Sequence, residues 1–106
     1  MTKQEYLINL LMEESAEIIL IASKIKRFGL HEVYDDGHGN QKSNLERMLI
    51  EVSDLLTVFT MLGEEKLLDL PPEKDKLYDP EVLFQEKKAK ILKYMQVSRD
   101  LGNLHD

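Results

Sequence analysis

A chain of 106 residues with 42% hydrophobic and 32% charged residues has the composition of one ordinary globular domain. With no cysteine it forms neither disulfides nor a thiolate metal site, and no apolar stretch reaches the ~18 residues of a membrane span. A formal net charge of −6 argues against a nucleic-acid binder, and Met1-Thr2-Lys3-Gln4-Glu5 shows no signal-peptide pattern, so a cytoplasmic location is expected.

Leu7, Leu10, Leu11, Ile18, Ile21, Ile25 and Phe28 recur at helical spacing. They predict an amphipathic helix from about Lys3 to Phe28, with Gly29 as its stop. Leu30 to Lys42 reads as a loop, rich in turn formers at Asp35-Asp36-Gly37-His38-Gly39-Asn40. Ser43 followed by Glu46 is a capping box, which predicts a second helix from there to about Leu62, ending at Gly63. Leu67-Leu68-Asp69-Leu70 offers a further short turn of helix, which Pro71-Pro72 should break. Asp79-Pro80 supplies an N-cap and an N1 proline for a third helix to about Val97, and Ser98 to Asp106 reads as a tail. Nothing alternates like a strand.

The expected fold is all-α, an antiparallel bundle of three main helices per chain. A chain this short buries only roughly 60–65% of its unfolded surface. Its second helix is apolar around most of its circumference. Completion of the core by oligomerisation, as a homodimer or a dimer of dimers, is therefore expected.

Two acidic clusters lie inside these apolar runs: Glu13, Glu14 and Glu17 on the first helix, Glu51 and Asp54 on the second. Glu14 stands seven residues after Leu7 and seven before Ile21, on the core-facing stripe. A carboxylate there is costly unless paired, protonated or bound to a metal. Residues three apart differ by about 60° around a helix, so Glu14 points with Glu17 and Glu51 with Asp54. Antiparallel packing of the two helices would bring these four carboxylates together as a site for a hard divalent cation, Mg²⁺ or Mn²⁺. Glu13 sits next door, able to orient a water. A di-iron carboxylate bundle would need Glu-x-x-His, which does not occur. A calcium loop starting at Asp35 fails because Gly37 and Gly39 stand where ligands belong.

The clusters, in the contexts Leu11-Met12-Glu13-Glu14-Ser15-Ala16-Glu17-Ile18 and Glu51-Val52-Ser53-Asp54-Leu55-Leu56, resemble the Glu-Glu-x-x-Glu and Glu-x-x-Asp signature of the MazG-like nucleoside triphosphate pyrophosphohydrolases. Asn44-Leu45-Glu46-Arg47 adds to the resemblance, which runs from about Leu7 to Leu62. It implies Mg²⁺-dependent cleavage between the α and β phosphates of a (deoxy)nucleoside triphosphate, giving a monophosphate and pyrophosphate. It also implies Glu14, Glu17, Glu51 and Asp54 as the metal ligands, with Glu13 completing the catalytic acids.

A triphosphate needs further cations. Arg47 lies one turn before Glu51, Lys24 lies seven residues after Glu17, and Arg27 follows three later. On the third helix Lys87, Lys90 and Lys93 form a one-sided stripe next to Tyr94. Each is equally at home as a solubilising surface charge. In several members of the family an asparagine precedes the basic-Tyr pair, and here Lys90 occupies that place. Of the aromatics, Phe28 and Phe59 read as core, and Tyr34 and Tyr94 are candidates to stack on a base. His31 and His38 read as surface residues. Two alternatives stand beside this reading. Phosphoribosyl-ATP pyrophosphohydrolases carry Tyr-His shortly after the second motif, where this chain has Thr57-Val58. A non-catalytic helical dimerisation or regulatory protein would carry the same acids on solvated faces.

Overall fold

The computed structural model describes residues 1–35, 37–39 and 41–105, with the backbone alone at 34 and 35. The chain divides into two compact units, Met1–Asp69 and Leu70–Asp106. Both are mainly helical.

In the first unit, α1 spans Lys3–Phe28 and α2 spans Asn44–Glu64, joined through a two-stranded ribbon, β1 (Val33–Asp35) and β2 (Gln41–Ser43). Each helix opens with a capping box: Thr2 with Glu5, and Ser43 with Glu46, in which side chain and backbone satisfy each other's first-turn donors. The two helices run antiparallel. The Nζ of Lys3, at the start of α1, reaches Glu65 beyond the end of α2 at 2.6 Å. At the other end the Nδ2 of Asn44 donates to the carbonyl of Gly29 at 2.9 Å. Between these ties lies a narrow seam in which Leu7 and Ile21 of α1 and Val58 and Leu62 of α2 are buried. The exposed Lys3–Glu65 pair adds little stability; the seam carries the packing.

The ribbon corrects the expectation of a featureless loop. β1 and β2 pair antiparallel, Val33 opposite Ser43 and Asp35 opposite Gln41. Strands of three residues are too short to show the alternation that identifies a strand in sequence. Asp36 and Asn40, expected turn formers, lie outside the described residues, as does the side chain of Tyr34. Backbone bonds from Asn44 N–H to the Glu32 carbonyl (3.0 Å) and from Leu45 N–H to the Leu30 carbonyl (2.9 Å) fasten the linker to the head of α2.

The end of α2 differs from expectation too. Gly63 lies inside the helix, and the reversal falls at Lys66, whose φ is 58°. Lys66 N–H donates to the Gly63 carbonyl and Leu67 N–H to that of Leu62, the paired bonds of a Schellman stop.

In the second unit, Pro72 does not break a helix but heads one, the short α3 (Pro72–Asp75), followed by a 3₁₀ turn over Lys76–Tyr78. The long helix α4 spans Pro80–Asp100, three residues beyond the expected end. Asp79 Oδ1 accepts from the backbone N–H groups of Glu81 and Val82, as its N-cap role requires. Gly102, at φ 77°, closes α4 with a second Schellman stop. Among the described residues no helix is long and apolar enough to cross a membrane.

Candidate metal centre

The α1–α2 seam is apolar at both ends and acidic in its middle. Glu14 takes the place on α1 between the turns of Leu7 and Ile21, and Glu51 takes the facing place on α2 between Met48 and Leu55. Both are half-buried, whereas Asp54, one turn along α2, is exposed. One carboxylate oxygen from each of these three lies within 4.8 Å of the other two.

Glu51 is the hub of the cluster. Its carboxyl is pushed above the ordinary glutamate value, first by burial, then by the charges of Glu17, Asp54 and Glu14, and by a hydrogen bond with Glu14. Glu17 stands outside the three-oxygen group but bears on Glu51 from the side, where both line a small cavity of about 90 Å³. Glu13 is exposed and belongs to neither arrangement.

The donor set fits a hard divalent cation. Three carboxylate oxygens crowd where burial and their mutual repulsion make Glu51 harder to ionise, and a cation would relieve that repulsion. The ordinary alternative, acids turned outward to water, does not describe Glu14 and Glu51.

Cations flank the acids. Lys24 and Arg47, both half-buried, share the small cavity with Glu17 and Glu51. Arg47 is steadied by a bond from its Nε to the Lys42 carbonyl at 3.3 Å. The same two side chains also line a second cavity, of about 330 Å³, with Phe28, Glu32 and Asn44. Phe28, expected in the core, is about half exposed, and so is Phe59. Both belong to helix faces that α1–α2 packing leaves uncovered.

Arg27 turns elsewhere: its guanidinium lies 5.2 Å from the centre of the Phe28 ring, and its Nε donates to the Ser23 carbonyl. The stripe on α4 belongs to the second unit. There Lys87, Lys90 and Tyr94 line one cavity of about 420 Å³ with Met95, Ser98 and Leu104, while Lys93 is not among its lining residues. His31 and His38 are exposed. The residues that sequence reasoning passed over are Glu32 and the side chain of Asn44. A lone glutamate in a linker carries no signal, and only the folded linker brings it to the second cavity.

No family model, curated protein or solved structure matches the chain.

Proposed function

We propose that this chain is a divalent-metal-dependent nucleotide pyrophosphohydrolase of the MazG-like kind, acting on (deoxy)nucleoside triphosphates in the cytoplasm. The observation that supports it is the meeting of Glu14, Glu51 and Asp54 oxygens within 4.8 Å, beside Lys24 and Arg47. Glu14, Glu51 and Asp54 would hold Mg²⁺ or Mn²⁺, with Glu17 as a fourth ligand on the open side. When bound, such an ion neutralises phosphate charge, polarises the phosphorus and lowers the pKa of a water.

The chain's own residues supply the rest. Lys24 and Arg47 balance the charge of the phosphates at the edge of the carboxylate cluster. Attack by water forms an oxygen bond to the α-phosphorus and breaks the bridging bond to the β-phosphate. Pyrophosphate then leaves with the bonding electron pair. The water's proton passes to a neighbouring carboxylate, for which the exposed Glu13 is at hand. No covalent nucleophile is required.

A bundle completed by a second copy belongs to the same reading. Leu49, Leu56 and Phe59 of α2 and Met12 and Ile19 of α1 are all more than half exposed, more apolar surface than a stable monomer ordinarily leaves wet. The lysines of α4 would then serve a nucleotide site in the assembled protein.

The test is a screen of nucleoside triphosphates with Mg²⁺ or Mn²⁺, separating products by ion-exchange chromatography. Monophosphate and pyrophosphate in equal amounts are expected. Orthophosphate and diphosphate as the products, or no metal-dependent turnover of any nucleotide, would overturn the assignment.

A further inference from the structure

The larger of the two cavities beside the carboxylates has no role in phosphate chemistry. It is about 330 Å³, within the size range of small-molecule pockets, and Phe28, Glu32 and Asn44 line it together with Lys24 and Arg47. Lys24 and Arg47 line both it and the smaller cavity that Glu17 and Glu51 share, so the two are neighbours along the same pair of helices. From Glu17 to Phe28 is eleven residues of α1, roughly 16 Å of helix. That is the scale of an extended nucleotide. Acids, then cations, then an aromatic-walled cavity follow in the order of metal, phosphates and base.

The chemistry of the cavity wall narrows the base. The Asn44 Nδ2 spends one of its two N–H donors on the Gly29 carbonyl at 2.9 Å, and the residue is buried, so it offers a ligand little. Glu32, when ionised, has only acceptors to offer. Its backbone is held by the bond from Asn44 N–H, which fixes the residue in the cavity lining. A carboxylate pairs best with two adjacent N–H donors, and guanine presents them at N1 and N2. Adenine and cytosine present one amino group beside an acceptor. Thymine and uracil present a single N–H between two carbonyl oxygens, which a carboxylate repels. Phe28 is about half exposed with Arg27 over its ring, and the surface it leaves open gives any base a stacking platform that discriminates little.

We propose that this cavity is the base subsite and that Glu32 makes it prefer guanine over thymine or uracil. The inference rests on the nucleotide reading of the carboxylate centre. It is tested by binding rather than turnover, so that the two fail separately.

The probes are the α,β-imido analogues of dGTP and dTTP, titrated calorimetrically in Mg²⁺ against wild type, Glu32→Gln and Phe28→Ala. Wild type should bind the guanine analogue at least about tenfold tighter, the scale of one charge-assisted hydrogen-bonded pair in an open site. Glu32→Gln should collapse that ratio to within about twofold. Phe28→Ala should weaken both analogues by a similar factor, about tenfold, because stacking is tolerant of base identity. Equal binding of the two analogues by wild type would overturn the proposal. So would failure of the guanine analogue to bind, or a preference that survives Glu32→Gln. If the preference holds but the triphosphates are not hydrolysed, the base subsite stands and the pyrophosphohydrolase reading falls. Both variants alter exposed side chains, and an unchanged melting temperature verifies their folding.

Discussion

Glu14 and Glu51 face each other across the α1–α2 seam with carboxylate oxygens within 4.8 Å, and burial of Glu51 together with the charges of Glu17, Asp54 and Glu14 pushes its carboxyl above the ordinary glutamate value. Two acids occupy positions that the helical repeat assigns to leucine. Their repulsion is a cost of the metal-free fold, and it is the quantity a bound cation would remove.

The first expected outcome concerns melting. Mg²⁺ or Mn²⁺ at a few millimolar should raise the melting temperature above that in NaCl of equal ionic strength, by binding the folded state alone. Glu51→Gln should leave the metal-free protein as stable or more stable and blunt the rise with metal. Identical melting in the matched salts would count against convergence of these acids on a cation.

A pH dependence follows from the raised pKa of Glu51. The folded chain binds that proton more tightly than the unfolded chain, so the stabilisation is fully present below the ordinary glutamate pKa. It is lost as pH rises through the raised value. Wild type and Glu51→Gln, compared without metal, should therefore diverge as pH rises above the ordinary glutamate value, with Gln gaining in relative stability at the higher pH. A constant difference in melting temperature across that rise would show that Glu51 titrates normally.

Activity should track the geometry of the cluster. Glu14→Gln, Glu51→Gln and Asp54→Asn each remove a charged oxygen donor at nearly constant shape and should lower kcat/KM by at least about 100-fold. Glu17→Gln should fall in the same class if Glu17 is the fourth ligand. Glu13→Gln, exposed and outside the three-oxygen group, should cost less. Wild-type turnover in the Asp54→Asn protein would remove that residue from the ligand set.

What the sequence disclosed, and what it withheld, divides along physical lines. The place of Glu14 was legible because a residue seven after Leu7 and seven before Ile21 must share their face, and both flanking residues are buried. Helix starts were legible because Ser43 with Glu46 and Asp79 with Pro80 act through bonds only two or three residues long. The ribbon was not, since each strand is three residues and its pairing depends on the partner rather than on its own pattern. Glu32 was hidden for the same kind of reason: it is positioned by the Asn44 backbone, twelve residues away. Phe28 and Phe59, expected in the core, are about half exposed within one chain, because helical spacing reveals a face without revealing what covers it.

The uncovered faces bear on assembly. Met12, Ile19, Leu49, Leu56 and Phe59 are exposed by between 52% and 71%, and burial of such side chains is worth roughly 1.5–3 kcal/mol each. Light scattering at micromolar concentration should give at least twice the mass of one chain. Leu56→Glu should shift the distribution toward the monomer. A monodisperse monomer in the wild type would mean that these faces are covered by something other than a second copy.

The last expected outcome isolates a backbone effect from every functional residue. Both long C-terminal helix stops are Schellman motifs, but they place different residues in the left-handed position: Gly102 after α4, at φ 77°, and Lys66 after α2, at φ 58°. A side chain there crowds its own backbone by roughly 1–2 kcal/mol, a strain that glycine avoids. Glycine also gives the unfolded chain more freedom, which offsets part of the gain. Lys66→Gly should therefore stabilise the protein by about 0.5–1 kcal/mol in urea denaturation, with the slope unchanged. Gly102→Ala should destabilise it by about 1 kcal/mol; a Cβ added there would meet no atom within 4 Å, so packing cannot be the cause. Opposite signs at the two sites are the signature of backbone strain. If Lys66→Gly instead destabilises, the lysine is held by contacts of its side chain, and the stop of α2 owes its geometry to those contacts rather than to the paired carbonyl bonds.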